Sequence, residues 1–68
     1  MKLSELRKAE NLTQEQFAAK IGTKRVNVAR YENGTRRPSP RTAEQIGQVL
    51  GLTVSEIWAM FYARDEGA

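Results

Sequence analysis

The sequence predicts an all-α domain, a compact bundle of five helices, and three observations carry that prediction. Apolar residues recur at three- and four-residue spacing, and nowhere do they alternate with polar ones as a half-buried strand requires. Helix-start chemistry stands at Thr13, Ser39 and Thr53, and stop signals stand at Gly22, Asn33-Gly34 and Gly51. The chain has 68 residues with neither Cys nor His, so its stability must come from one small helical core, without disulfides or the usual zinc sets. Residues 1–68 are therefore expected to form a single domain.

The first helix is expected from about Leu3 to Glu10, with Leu3, Leu6 and Ala9 facing the core. Thr13 and Gln16 form a capping box that opens the second helix, and Leu12 just before it supplies a hydrophobic staple. Phe17, Ala18 and Ile21 make its apolar face, and Gly22 ends it where a left-handed residue is wanted.

The third helix is expected over about Lys24 to Asn33. At 100° per residue, Val28 and Tyr31 share one side, flanked by Lys24 and Asn27, while Arg25, Val26, Ala29, Arg30 and Asn33 share the other. Ser39 caps the fourth helix, and Pro40 occupies its first position, where a missing N–H costs nothing. Ile46, Val49 and Leu50 should turn inward before Gly51 ends it. Thr53 and Glu56 form a second capping box for the fifth helix, whose core stripe is expected to be Ile57, Trp58 and Phe61. The polar tail from Arg64 is expected to fray over about residues 65–68.

The net charge is only +3, but it is segregated. Between Lys20 and Arg41 seven basic residues stand against one acid, Glu32, a net of +6 in 22 residues. The other 46 residues hold four bases and seven acids, a net of −3. Such a patch is the footprint of a polyanionic partner. Enzyme classes fare badly: there is no imidazole base, no thiol, no phosphate-cradling glycine loop and no ligand cluster, so no catalytic residue, metal or cofactor is expected. No apolar run approaches the roughly 20 residues of a membrane span, and charges occupy the N-terminal stretch that a signal peptide keeps apolar, so a cytoplasmic location is expected.

Two short amphipathic helices meeting at Gly22, over about residues 13–33, give the outline of a helix-turn-helix. Leu12-Thr13-Gln14-Glu15, Phe17-Ala18, Ile21-Gly22, Val28, Glu32-Asn33-Gly34, Pro38 and the Gly51-Leu52-Thr53 turn then carry a resemblance. Over roughly Leu3 to Trp58 the chain resembles the phage Cro/repressor-type, xenobiotic-response-element-like helix-turn-helix family. The resemblance implies a lambda-repressor-like five-helix fold and binding to double-stranded DNA, with the third helix as the recognition helix.

On that alignment Arg25, Val26 and Arg30 occupy the base-reading positions. Arginine offers two donors to guanine O6 and N7, and Val26 has only its methyls to pack on a thymine methyl. Pure phosphate contact is the alternative for both arginines, and a passive spacer the alternative for Val26. By the same resemblance Gln14 contacts a phosphate and braces a recognition side chain. Thr23, Lys24, Asn27, Asn33, Thr35, Arg36, Arg37 and Arg41 are candidates for backbone contacts, with a narrow minor groove as the other destination of Arg36 or Arg37. Arg7 and Glu32 match a structural ion pair of the family. Lys24 stands where relatives often carry a capping Ser or Thr, and Thr23 is the residue expected to take over that cap.

The implied activity is transcription regulation, as a repressor that binds a near-palindromic operator as a homodimer and occludes polymerase. Dimer contacts are expected from Leu52, Met60, Phe61 and Tyr62. The other class of function is an antitoxin or partner-binding adaptor that uses the apolar fifth helix toward a protein partner.

Overall fold

A computed structural model describes residues 2–62. Five helices follow one another: α1 (Leu3–Ala9), α2 (Gln14–Ile21), α3 (Arg25–Asn33), α4 (Pro40–Leu50) and α5 (Val54–Phe61), with no strand among the described residues. The expected tail at 65–68 lies outside the described residues. No helix described is long and apolar enough to cross a membrane.

Local chemistry sets most of the boundaries. The Thr13 hydroxyl accepts from the Gln16 N–H at 3.0 Å, and the Gln16 side chain accepts in return from the Thr13 N–H at 2.9 Å. Thr53 and Glu56 repeat the arrangement at 3.1 and 2.9 Å. Ser39 caps α4 with Pro40 in the first turn. Gly22, Gly34 and Gly51 close α2, α3 and α4 in the left-handed region, at φ of 73°, 81° and 70°. A Cβ on Gly22 would meet nothing within 4 Å, so the dihedral and not crowding selects glycine at the turn.

The backbone N–H of Thr53 and then its hydroxyl hold the Glu56 carboxyl below its ordinary value of 4.5. A depressed carboxyl stabilises the fold only while ionised, so its contribution is present above that value and fades as pH falls through the lower, folded value. Glu56→Gln should therefore flatten the acid side of a stability–pH profile, measured by thermal unfolding at a series of pH values.

Leu3, Phe17, Ala18, Ile21, Val28, Tyr31, Ala43, Ile46 and Ile57 form the buried core, which draws from all five helices. Helix α2 packs on both α3 and α4, α1 on α3, and α5 on α4. Phe17, Val28 and Ile46 are fully enclosed. Val49, Leu50, Leu52, Met60, Phe61 and Tyr62 are half-buried against this cluster.

Two expected core residues face solvent instead. Ala9 is exposed, because the inward positions of the two-turn helix α1 are Leu3 and, four residues on, Arg7, with Leu6 half-buried. Trp58 is 61% exposed. Ile57 takes the inward position of α5, and the next residue lies about 100° further around the helix. The indole packs along the surface against Tyr62, with ring centroids 5.0 Å apart. Helix α1 also stops one residue before the expected Glu10, and Asn11 takes a left-handed turn at φ 58°.

Gly47 is buried inside α4. A Cβ there would stand 3.2 Å from the Leu52 carbonyl oxygen and 3.3 Å from Ile57 Cγ1, so the absence of a side chain sets how closely α5 approaches α4.

Candidate nucleic-acid interface

The site is built on α2, the turn at Gly22 and α3. Past Gly22 the Thr23 N–H returns to the Ala18 carbonyl at 2.9 Å, which directs the chain out of α2 and into α3. Lys24, in extended conformation, is the N-cap of α3, and its side chain makes no capping bond. Thr23 does not take the cap over: its hydroxyl accepts from Asn27 Nδ2 at 2.9 Å and so ties the turn to the first turn of α3. The helix begins at Arg25, with no displacement of its start toward Thr23.

Val28 and Tyr31 anchor α3 in the core. Arg25, Val26, Arg30 and Asn33 point to solvent, and Ala29 is half-buried among them. The two arginines lie about 140° apart around the helix and flank the small residue. Val26 is 43% exposed, so its methyl groups are available for contact on the same face.

The C-terminal end of α3 is equally ordered by local bonds. Asn33 Oδ1 accepts from the Thr35 N–H at 3.0 Å and from its hydroxyl at 2.6 Å. The Thr35 N–H also donates to the Arg30 carbonyl at 3.1 Å. Arg36 and Arg37 follow as exposed side chains, and Pro38 is buried. Lys20, Lys24, Arg25, Arg30, Arg36, Arg37 and Arg41 are all exposed.

Glu32, the only acid between Lys20 and Arg41, is withdrawn from that surface. Its carboxylate meets Arg7 in a forked ion pair, with Nε to Oε2 at 2.5 Å and Nη2 to Oε1 at 3.3 Å. The two side chains are 9% and 10% exposed. Arg7 Nη1 donates to the Leu12 carbonyl at 2.7 Å, and Gln14 Nε2 donates to Glu32 Oε1 at 3.0 Å. This network ties α1, the start of α2 and the end of α3 together. It leaves the exposed side chains between Lys20 and Arg41 without an opposing carboxylate among them. Gln14 is thus engaged with Glu32, and its hydrogen bond braces the end of α3.

Sequence reasoning missed the bonds between Asn33 and Thr35, Arg7 and Leu12, Gln14 and Glu32, and Asn27 and Thr23. The last had a signal, since a Thr and an Asn four apart across a helix start face each other.

Leu52, Met60, Phe61 and Tyr62 are half-buried against the core, while the exposed large apolar side chains of α5 are Val54 and Trp58. Val54, Trp58, Leu52, Ile57 and Tyr62 line a shallow groove of about 470 Å³ between α4 and α5, bordered by Glu44 and Gln48. No metal-binding cluster occurs among the described residues.

A second helix projected from a glycine turn, arginines outward and apolar residues inward, defines a helix-turn-helix protein. Comparison with known proteins agrees. A family model described as helix-turn-helix matches residues 3–57. The control protein C.MunI of Mycoplasma sp is 42% identical over 59 residues, covering 85% of this chain and 80% of that protein. An HTH-type transcriptional regulator of Methanocaldococcus jannaschii is 35% identical over 65 residues, 96% of both chains. The HTH-type transcriptional activator BcrR of Enterococcus faecalis is 32% identical over 56 residues, which are 82% of this chain and 28% of that one. No solved structure gives a significant match. The chain belongs to the Cro/repressor-type helix-turn-helix family of DNA-binding transcription regulators.

Proposed function

We propose that this protein recognises a specific double-stranded DNA sequence by laying α3 in the major groove. The observation that carries this reading is the exposed Arg25–Val26–Arg30 face, held by a fully buried Val28 on the opposite side. Arg25 and Arg30 read base edges, and Val26 packs on a thymine methyl. Thr23, Lys24, Asn27, Asn33, Thr35, Arg36, Arg37 and Arg41 meet the phosphate backbone at the margins, with Gln14 at the start of α2. The Arg7–Glu32 pair keeps a structural role.

A single such helix reads few bases, so two copies bind a near-palindrome with half-sites about 34–36 Å apart. The second copy docks through α5 and the turn before it, using the half-buried Leu52, Met60, Phe61 and Tyr62 together with the exposed Val54 and Trp58. Repression by occlusion of polymerase needs nothing beyond occupancy of the site. One relative is named an activator, so a reporter gene placed behind the selected site decides the direction of control. In this reading the protein acts in the cytoplasm, without cofactor or catalytic group.

Selection of bound duplexes from a random pool at near-physiological salt, followed by sequencing, tests the proposal: a two-fold-symmetric site should be enriched. Arg25→Ala should then cost about 1–3 kcal/mol at that site and relax preference at one base pair. Arg36→Ala should weaken all duplexes alike and lower the slope of log affinity against log salt by about one. Unchanged affinity and preference in R25A would place the recognition surface elsewhere.

The exposed Trp58 and Val54 favour a second reading, an adaptor or antitoxin that presents the α4–α5 groove to a different protein. Loss of partner binding in Trp58→Ser, with DNA selection unchanged, would establish it.

A further inference from the structure

The loop between α3 and α4 is fastened at an unexpected point. The Tyr62 hydroxyl, at the end of α5, donates to the Pro38 carbonyl at 2.6 Å across 24 positions of chain. Pro38 is buried and has no N–H, so its carbonyl is the one backbone handle by which a neighbour can hold it. It directly follows Arg36 and Arg37, which are exposed. On the other side, the Thr35 and Arg36 N–H groups reach the Arg30 carbonyl at 3.1 and 3.4 Å. The arginine pair is thus suspended between the end of the recognition helix and the end of α5.

The Tyr62 ring is itself fixed. Trp58 packs on it with centroids 5.0 Å apart, and Phe61 meets it edge-on at 6.4 Å. Burial, and then the neighbouring Tyr31, raise the phenol above its ordinary value of 10.0, with Arg37 opposing them. The hydroxyl therefore stays protonated and able to donate throughout the neutral range.

We propose that Tyr62 is a positioning residue for DNA binding: its bond to Pro38 holds Arg36 and Arg37 where they meet the phosphates. The proposal rests on the reading that this loop faces DNA. It assigns to the end of α5 a part in backbone binding although Tyr62 itself never touches the nucleic acid. Phosphate contacts orient a protein without reading bases, so the effect should be general and not sequence-dependent.

Tyr62→Phe removes the donor and keeps the ring and its aromatic neighbours. Affinities of wild type, Y62F, R36A, R37A and the Y62F/R37A pair are measured on the selected duplex and on an unrelated one, over a salt series, at a temperature where circular dichroism shows every variant folded. Y62F should bind both duplexes about 3- to 10-fold more weakly, with a salt slope lower by about one, as expected for one lost phosphate contact, and an unchanged ratio between them. In the R37A background the same change should add little further loss. A Y62F protein with wild-type affinity and slope, beside arginine variants that lose theirs, overturns the positioning role and leaves the interface standing. If the arginine variants also keep the wild-type slope, the loop does not face DNA and both readings fall.

Discussion

Glu32→Ala is expected to cost about 3–5 kcal/mol of folding stability, because it leaves the Arg7 guanidinium buried without its counter-charge. The arginine side chain is 9% exposed, and the Leu12 carbonyl would be its one remaining hydrogen-bond partner among those observed. A domain of this length has roughly 3–10 kcal/mol in total, so the variant should lose a large share of its stability and melt far below the wild type. Urea denaturation at low temperature measures the loss. Replacing both members with apolar residues, Arg7→Met with Glu32→Leu, should be far less damaging than Glu32→Ala, since a buried pair recovers much of its own desolvation cost and little more. If the single and double replacements were equally destabilising, packing and not charge would be the network's contribution.

Phe17→Ala is expected to cost a similar amount, about 3–5 kcal/mol, for a different reason. Phe17 is the largest of the fully enclosed side chains, and it sits on the helix that packs against both α3 and α4. Its removal subtracts the transfer energy of the ring and leaves a cavity that short helices joined by tight turns cannot readily close. DNA binding should fall in proportion to the unfolded fraction. A stabilising osmolyte should restore folding and binding together, whereas R25A should gain nothing from it. Thermal unfolding followed at 222 nm, with and without osmolyte, separates the two.

The elements legible from sequence were those decided by local chemistry. Thr13 with Gln16, Ser39 with Pro40 and Thr53 with Glu56 announce helix starts because their bonds close within three residues. The glycines announce stops because a positive φ is needed there. Helical periodicity also separates the outward Arg25 and Arg30 from the inward Val28 and Tyr31.

What periodicity could not settle was orientation in helices of seven or eight residues, where barely two turns leave the inward direction to the tertiary partners. Ala9 and Trp58 were misplaced for that reason. Lys24 shows a different limit: a backbone can take N-cap geometry without a side chain to complete it, so the expected transfer of the cap to Thr23 was unnecessary. The bonds from Gln14 to Glu32 and from Tyr62 to Pro38 span 18 and 24 positions. Nothing in local sequence fixes such distances; they follow only once the helices are packed.

Gly47 acts as a spacer of zero thickness. A Cβ at this position would stand 3.2 Å from the Leu52 carbonyl oxygen and 3.3 Å from Ile57 Cγ1, so any side chain there requires the turn before α5 or the Ile57 side chain to give way. Gly47 and Tyr62 line the same α4–α5 groove, and the Tyr62 hydroxyl at the far end of α5 reaches Pro38. Related chains that carry a larger residue at this place would have to make that room in the Leu52 turn or at the position of Ile57.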